Sequence, residues 1–168
     1  MKNIPIISIV GKSNTGKTTF MEKLIPELVR RGYRVGTIKH DVHGFEIDRE
    51  GKDSYRHKKA GAAVTIISSP HKVAVIADAE KDHEPTELRD LYLHNVDIII
   101  TEGYKRNNYP KIEVFRSDLY PEILCHDDES LIALVGDKPK EVRVPHFPPE
   151  AVTAVVDLIE ERFLKGKI

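Results

Sequence analysis

The sequence predicts a three-layer α/β/α fold with a mostly parallel central sheet and an extra β-hairpin, and three observations carry that expectation. An apolar, β-branched run, Ile6-Ile7-Ser8-Ile9-Val10, leads directly into Gly11-Lys12-Ser13-Asn14-Thr15-Gly16-Lys17-Thr18. That octet fills every position of G-x-x-x-x-G-K-[ST], a pattern whose meaning depends on a strand before it and a helix after it. Strand-like and helix-like segments then alternate without a repeat or a low-complexity linker. Finally, Val96-Asp97-Ile98-Ile99-Ile100-Thr101 is nearly all apolar, as a parallel strand covered on both faces must be.

The elements follow in order. The first helix is expected from about Lys17 to Arg31, because Phe20, Met21, Leu24, Ile25, Leu28 and Val29 recur at helical spacing and Gly32 can end it. Pro26 removes one hydrogen bond in its interior and is expected to bend it. Tyr33 to Ile38 forms the second strand. Residues 39–52 are polar, and a short helix starts at Asp53 with Asp53 or Ser54 as its cap. Ala63 to Ser69 and Lys72 to Ala77, joined by Ser-Pro-His, pair as the hairpin. Thr86 to His94 is a helix, Val96 to Thr101 the central strand, and Lys111 to Arg116 and Leu131 to Val135 two more strands. An amphipathic helix from Glu150 to Phe163 buries Val152, Val155, Val156, Ile159 and Phe163.

Length and composition suit one soluble domain over residues 1–168. A formal charge of −1 and a pI near 6.7 argue against a general nucleic-acid or anionic-membrane binder, so any phosphate specificity is local. There is no apolar run of about 18 residues, and the opening Met1-Lys2-Asn3-Ile4-Pro5 has no signal-peptide pattern. The single cysteine, Cys125, excludes an internal disulfide and fits a reducing compartment, so a cytoplasmic location is expected.

Chemistry concentrates at residues 11–18. Gly11 and Gly16 permit the tight path that turns successive N–H groups inward, and the following helix adds its positive end, which makes Gly11, Lys12, Ser13, Asn14, Thr15 and Gly16 an anion cradle continued by Lys17, Thr18 and Thr19. A nucleoside triphosphate is the expected ligand. Lys17 reaches its terminal phosphates, and the Thr18 hydroxyl takes one Mg²⁺ position. Glu102 ends the central strand and precedes Gly103, so it is the expected acid on the metal side and, with Lys17, the catalytic pair; Asp97 lies at the wrong end of that strand. Lys12 is an ordinary solvated lysine or, by analogy with dimeric ATPases and GTPases whose loop carries a lysine at this second position, a residue that reaches the partner's phosphates. The first reading is preferred, since nothing else in the sequence supports the second.

The loop, together with Thr37-Ile38-Lys39-His40-Asp41-Val42-His43, Asp48, Gly51-Lys52-Asp53-Ser54-Tyr55-Arg56, Ala60-Gly61-Ala62 and Thr101-Glu102-Gly103-Tyr104-Lys105, resembles the molybdopterin-guanine dinucleotide biosynthesis protein B (MobB) family, within the SIMIBI class of P-loop NTPases. The likeness spans Ile4 to about Asp137. It implies a GTP-binding, weakly hydrolysing homodimer with Mg²⁺ that assists a MobA-type guanylyltransferase in joining GMP to molybdopterin.

Beside this resemblance, Lys39, His40, Asp53 and Arg56 belong to a segment rich in positive and titratable groups, which suits a second phosphorylated ligand or a clamp on the terminal phosphate. Lys58 and Lys59 fit a solvated face. His40, His43 and His57 lack the partners and spacing of a structural zinc site, and Cys125 to Glu129 form a polar turn. The Asn-Lys-x-Asp guanine pattern is absent; Asp137 is either a substitute that accepts from the guanine edge or a turn residue before Pro139. GTP over ATP rests on the resemblance. No arginine finger accompanies the loop, and such a group is worth ~10³–10⁵ in rate, so turnover is expected to be slow. Two other classes stay open: a small-molecule kinase, and a binding module that the nucleotide only switches.

Overall fold

The computed structural model describes residues 4–165. By its internal contacts the chain divides into two compact units, one built from the segments on either side of the second, which runs Asp41–Glu84.

The first unit holds a six-stranded sheet of order β2-β5-β1-β6-β7-β8. Its strands are β1 (Ile6–Val10), β2 (Val35–Lys39), β5 (Ile98–Glu102), β6 (Lys111–Phe115), β7 (Leu131–Gly136) and β8 (His146–Phe147). Every pairing in it is parallel. The expected three-layer α/β/α fold with a mostly parallel sheet and a separate hairpin is present. From β1 the chain builds first toward β2 and later toward β6, which leaves a crevice outside the C-terminal end of β1.

One face of the sheet carries α1 (Lys17–Arg30) and α4 (Val152–Ile159). Phe20, Met21, Leu24 and Leu28 recur on the buried side of α1 and pack with Val155, Val156 and Ile159 of α4 against Ile7, Ile9, Ile98 and Ile100. Burying a leucine fully, as at Leu24 and Leu28, contributes about 1.5–3 kcal/mol. Pro26 lies inside α1 without ending it. The terminal helix departs from the expectation of one regular element over Glu150 to Phe163: after Ile159 it continues as a π-helical segment, Glu160–Leu164. The wider turn makes Leu164 the deeply buried residue of its end, while Phe163 is partly covered. Arg31 ties this end to α1. It donates to Glu27, to Asp157 at 2.7 Å, to Glu160 at 2.5 Å and to the Thr153 carbonyl, and the guanidiniums of Arg30 and Arg31 hold the Glu27 carboxyl down at about 2.

The opposite face is covered less regularly. Leu93 and Val96, just after α3 (Pro85–Tyr92), pack with Ile4, Ile6 and Ile99. Residues 116–130, which contain only turns, cover β6 and β7 through Tyr120, Ile123 and Cys125. Two buried charges fix this stretch. Glu113, 1% exposed, accepts from the N–H groups of Leu124 (2.6 Å) and Cys125 (2.8 Å). Lys111, equally buried, donates to the Asn107 carbonyl and Ser130 Oγ and pairs with Asp128 at 2.9 Å. Burial and the neighbouring Glu113 carboxylate push the Cys125 thiol up to about 12, so it is an inert packing group. The sequence reading missed β8, whose two residues lie between Pro145 and Pro148, a setting that allows only a short edge strand.

In the second unit, α2 (Asp53–Lys59) precedes an antiparallel hairpin, β3 (Val64–Ser68) and β4 (Val73–Ala77), which forms a sheet of its own. The cap of α2 is Lys52, in an extended conformation, and not Asp53 or Ser54. The Ser54 hydroxyl is instead spent on Asp48 Oδ2 at 2.8 Å, and Asp53 stands in the first helical turn, where a carboxylate suits the helix dipole. Val64, Ile66, Val73 and Val75 of the hairpin remain 49–63% exposed.

Candidate functional site

The loop between β1 and α1 is set by backbone geometry. Gly11 leaves the sheet with φ +146°, and a Cβ there would stand 2.5 Å from the Val114 carbonyl oxygen, so no other residue fits. Asn14 (φ 62°) and Gly16 (φ 96°) take left-handed conformations, which turn the peptide N–H groups between them toward a common concavity. Gly16 is also the N-cap of α1 and provides no side-chain acceptor, so the first helical N–H groups face an incoming anion. Apart from its own chain neighbours, no protein atom would come within 4 Å of a Cβ on Gly16.

The Lys12 carbonyl organises the interior of the loop: it accepts from Thr15 Oγ1 at 3.0 Å and from Lys17 Nζ at 2.9 Å. Burial, with the charges of Lys105 and Lys39, lowers the affinity of Lys17 for its proton, and Glu102 opposes that shift. Across the loop, Thr18 Oγ1 donates to both oxygens of Glu102, at 3.2 and 3.3 Å. Glu102 is the last residue of β5 and stands in register with Ile9 on one side and Lys39 on the other. Its carbonyl accepts from His40 N–H at 3.0 Å. The chain then turns away through Gly103 (φ 106°) and Tyr104 (φ 54°), and Tyr104 stacks on His40 with ring centroids 4.4 Å apart. Left-handed backbone at a non-glycine residue is uncommon, and here the stack holds it beside the acid. Thus Lys17, Thr18, Lys39, His40 and Glu102 converge on one end of the loop. Asp97, as expected, sits at the other end of β5, accepting from Arg34 N–H at 3.0 Å.

On the other side of the loop, toward the ends of β6 and β7, a cavity of about 190 Å³ is lined by Thr15, Gly16, Thr19, Phe20, Arg116 and Gly136 among others. Asp137 follows Gly136, and its Oδ2 accepts from both the N–H and the hydroxyl of Ser117 at 2.8 Å; these donors hold its carboxyl below the usual range. Asp137 therefore braces the β6 and β7 exits. Asp53 and Arg56 belong to the second unit, where α2 sets them as an exposed pair 3.8 Å apart.

Tyr120 escaped the sequence reading, because it lies in an irregular stretch with no periodicity or motif to mark it. Its hydroxyl donates to the Ser13 carbonyl at 3.0 Å, and the Lys12 ammonium lies 4.9 Å from its ring centroid. Lys12 is accordingly held over an aromatic face and is not the freely solvated lysine that the sequence favoured.

The family described as molybdopterin guanine dinucleotide synthesis protein B matches residues 6–137. A molybdopterin-guanine dinucleotide biosynthesis adapter protein of Escherichia coli strain K12 is 37% identical over 164 residues, covering 94% of this chain and 93% of its own. Its namesake in Haemophilus influenzae is 35% identical over 161 residues, with 94% and 88% covered. Among solved structures, Bacillus subtilis MobB superposes with a TM-score of 0.71 at 30% identity, covering 92% of this chain and 98% of that one. The match thus takes in the loop, the Lys39–His40 segment, the β5 exit and nearly the whole of both units, and the chain belongs to the MobB family.

Proposed function

We propose that the protein binds Mg²⁺–GTP in the 11–18 loop, hydrolyses it slowly, and acts in molybdenum cofactor biosynthesis by assisting a MobA-type guanylyltransferase that joins GMP to molybdopterin. Family membership supports the pathway, and the guanine named in the family's description supports GTP over ATP. The observation that carries nucleotide binding is the Thr18–Glu102 contact. A hydroxyl from the start of α1 and a carboxylate from the end of β5 meet at 3.2 Å beside an ammonium, which is the oxygen donor set for a phosphate-bound magnesium. In this reading Gly11 to Gly16 direct N–H groups at the phosphates, Lys17 exchanges its contact with the Lys12 carbonyl for phosphate oxygen, Thr18 and Glu102 hold the metal and its waters, and Thr19 borders the cavity that takes the nucleoside. The work is cytoplasmic, where GTP is held.

Calorimetric titration with GTP and ATP, with and without Mg²⁺ and in the presence and absence of the transferase, tests this reading; no binding of either nucleotide refutes it. Glu102→Gln keeps the shape and removes the charge, so it is expected to leave GTP affinity within about threefold while slowing hydrolysis at least about tenfold. Phosphate release under single-turnover conditions measures the difference, and equal turnover would make Glu102 a plain strand-end residue.

The assembly we assign to this reading is a homodimer. Ile66 and Val75 are register partners, and with Val64 and Val73 they give one face of the hairpin an apolar surface that a monomer would leave in water. A second copy of the same face covers it with like chemistry. Ile66→Glu with Val75→Glu is expected to shift the protein from dimer to monomer in sedimentation at micromolar concentration; a wild-type monomer, or a dimer indifferent to both changes, would remove the interface.

A further inference from the structure

β2 is the edge strand beside β5, and its register sets Thr37 opposite Ile100 and Lys39 opposite Glu102. Parallel register partners present their side chains to the same face, so Lys39 shares with Glu102 the face on which α1 lies. On that face Val35 packs into the α1 and α4 core, whereas Thr37 and Lys39 are exposed. The C-terminal half of β2 is thus an uncovered ledge next to the Thr18–Glu102 pair. Lys105, just beyond the Gly103–Tyr104 turn, adds a second exposed ammonium to the same rim. The charges of Lys39 and Lys105 both reach Lys17, which places them within electrostatic range of the phosphate end of the loop.

The direction of a bound nucleotide follows from the two sides of the loop. The cavity lies toward β6 and β7, and the Thr18–Glu102 pair toward β5. A nucleoside in the cavity points its terminal phosphate at Glu102 and, past it, at the end of β2. One strand, β5, separates β2 from β1, so the ledge is about 9–10 Å across the sheet from the loop strand. That places the ledge beyond the N–H cradle, on the side to which a nucleotide so bound would turn its terminal phosphate. A metal-bound triphosphate keeps net negative charge and repels any anion brought beside it; two further ammonium groups offset that repulsion.

We infer that the Thr37–Lys39 ledge and Lys105 form a second anion subsite, which takes the phosphate monoester of a small-molecule ligand held alongside the terminal phosphate of the nucleotide. This rests on the nucleotide reading above and adds to it the class of the second ligand. The aromatic pair of His40 and Tyr104 fixes the geometry of both flanks, since His40 follows Lys39 and Tyr104 precedes Lys105.

The test uses the full chain saturated with Mg²⁺ and a non-hydrolysable GTP analogue, titrated with phenyl phosphate and separately with inorganic phosphate by calorimetry and ³¹P NMR. Phenyl phosphate is expected to bind the loaded protein, and more tightly than inorganic phosphate. Lys39→Gln combined with Lys105→Gln is expected to weaken it at least about tenfold, a larger loss than the one measured for the analogue in the same variant. No binding of phenyl phosphate to the loaded protein overturns the subsite, as does binding indifferent to the two substitutions. An equal loss for analogue and phenyl phosphate also overturns it, because the lysines would then clamp the nucleotide itself. Failure of the analogue to bind the unaltered chain is a separate result, seen before phenyl phosphate is added, and it removes the nucleotide reading together with the subsite.

Discussion

Lys17→Ala is expected to weaken Mg²⁺–GTP binding about 10–100-fold, the scale of losing hydrogen bonds between an ammonium and phosphate oxygens. In the free loop the Lys17 ammonium rests on the Lys12 carbonyl at 2.9 Å, inside the loop that is proposed to hold the phosphates. Truncation removes that group but leaves the left-handed residues and the Thr15–Lys12 bond that shape the cradle, so the fold is expected to survive. Thr18→Ala gives a sharper signature. It deletes the hydroxyl that meets Glu102, and its effect is expected only when Mg²⁺ is present. Isothermal titration of both variants, in Mg²⁺ and in EDTA, separates the two roles; unchanged affinity in both would sink the assignment of the loop.

Glu113→Ala is expected to cost about 2–6 kcal/mol of stability, because the buried N–H of Cys125 and the part-buried N–H of Leu124 lose their acceptor and each such orphan costs about 1–3 kcal/mol. Glu113 is only 1% accessible, so the acceptor is lost from inside the fold. Urea unfolding followed by circular dichroism reads the loss directly, with a drop in midpoint at unchanged slope. A change below about 1 kcal/mol would mean that residues 116–130 are held by their apolar contacts and by Lys111, without need of Glu113. The variant also probes function at a distance: Tyr120, which grips the Ser13 carbonyl, belongs to that same stretch.

The parts of the molecule legible in the sequence are those governed by short-range rules. Residues 11–18 carry their own geometry, and the apolar run Val96 to Thr101 announces a central strand directly followed by Glu102. The two strand-like runs Ala63 to Ser69 and Lys72 to Ala77, joined by Ser-Pro-His, likewise mark a hairpin. What escaped was decided by partners far away in the chain. Tyr120 matters only because Ser13 and Lys12 lie beneath it, the π-helical turn ends on Leu164 in the core, and β8 pairs with the edge that β7 presents. Asp137 can be read two ways from the sequence, which gives no sign that Ser117, twenty residues away, supplies donors to its Oδ2. The cap of α2 was misplaced for the same reason, since the Ser54 hydroxyl had Asp48 to satisfy.

The position of β1 has a consequence for biosynthesis of the chain. Both neighbours of β1, β5 and β6, come late: the hydrogen bond between Ser8 and Thr101 joins residues 93 apart. At about 5–20 residues per second of synthesis, β1 waits on the order of 5–20 s for its first partner. Throughout that interval Ile6 to Val10, five residues that end buried, lack both of their strand neighbours. Closing so long a loop is also slow on topological grounds. Fragments that end before β5 are therefore expected to lack the sheet altogether, and with it both of the strands between which β1 carries the phosphate loop.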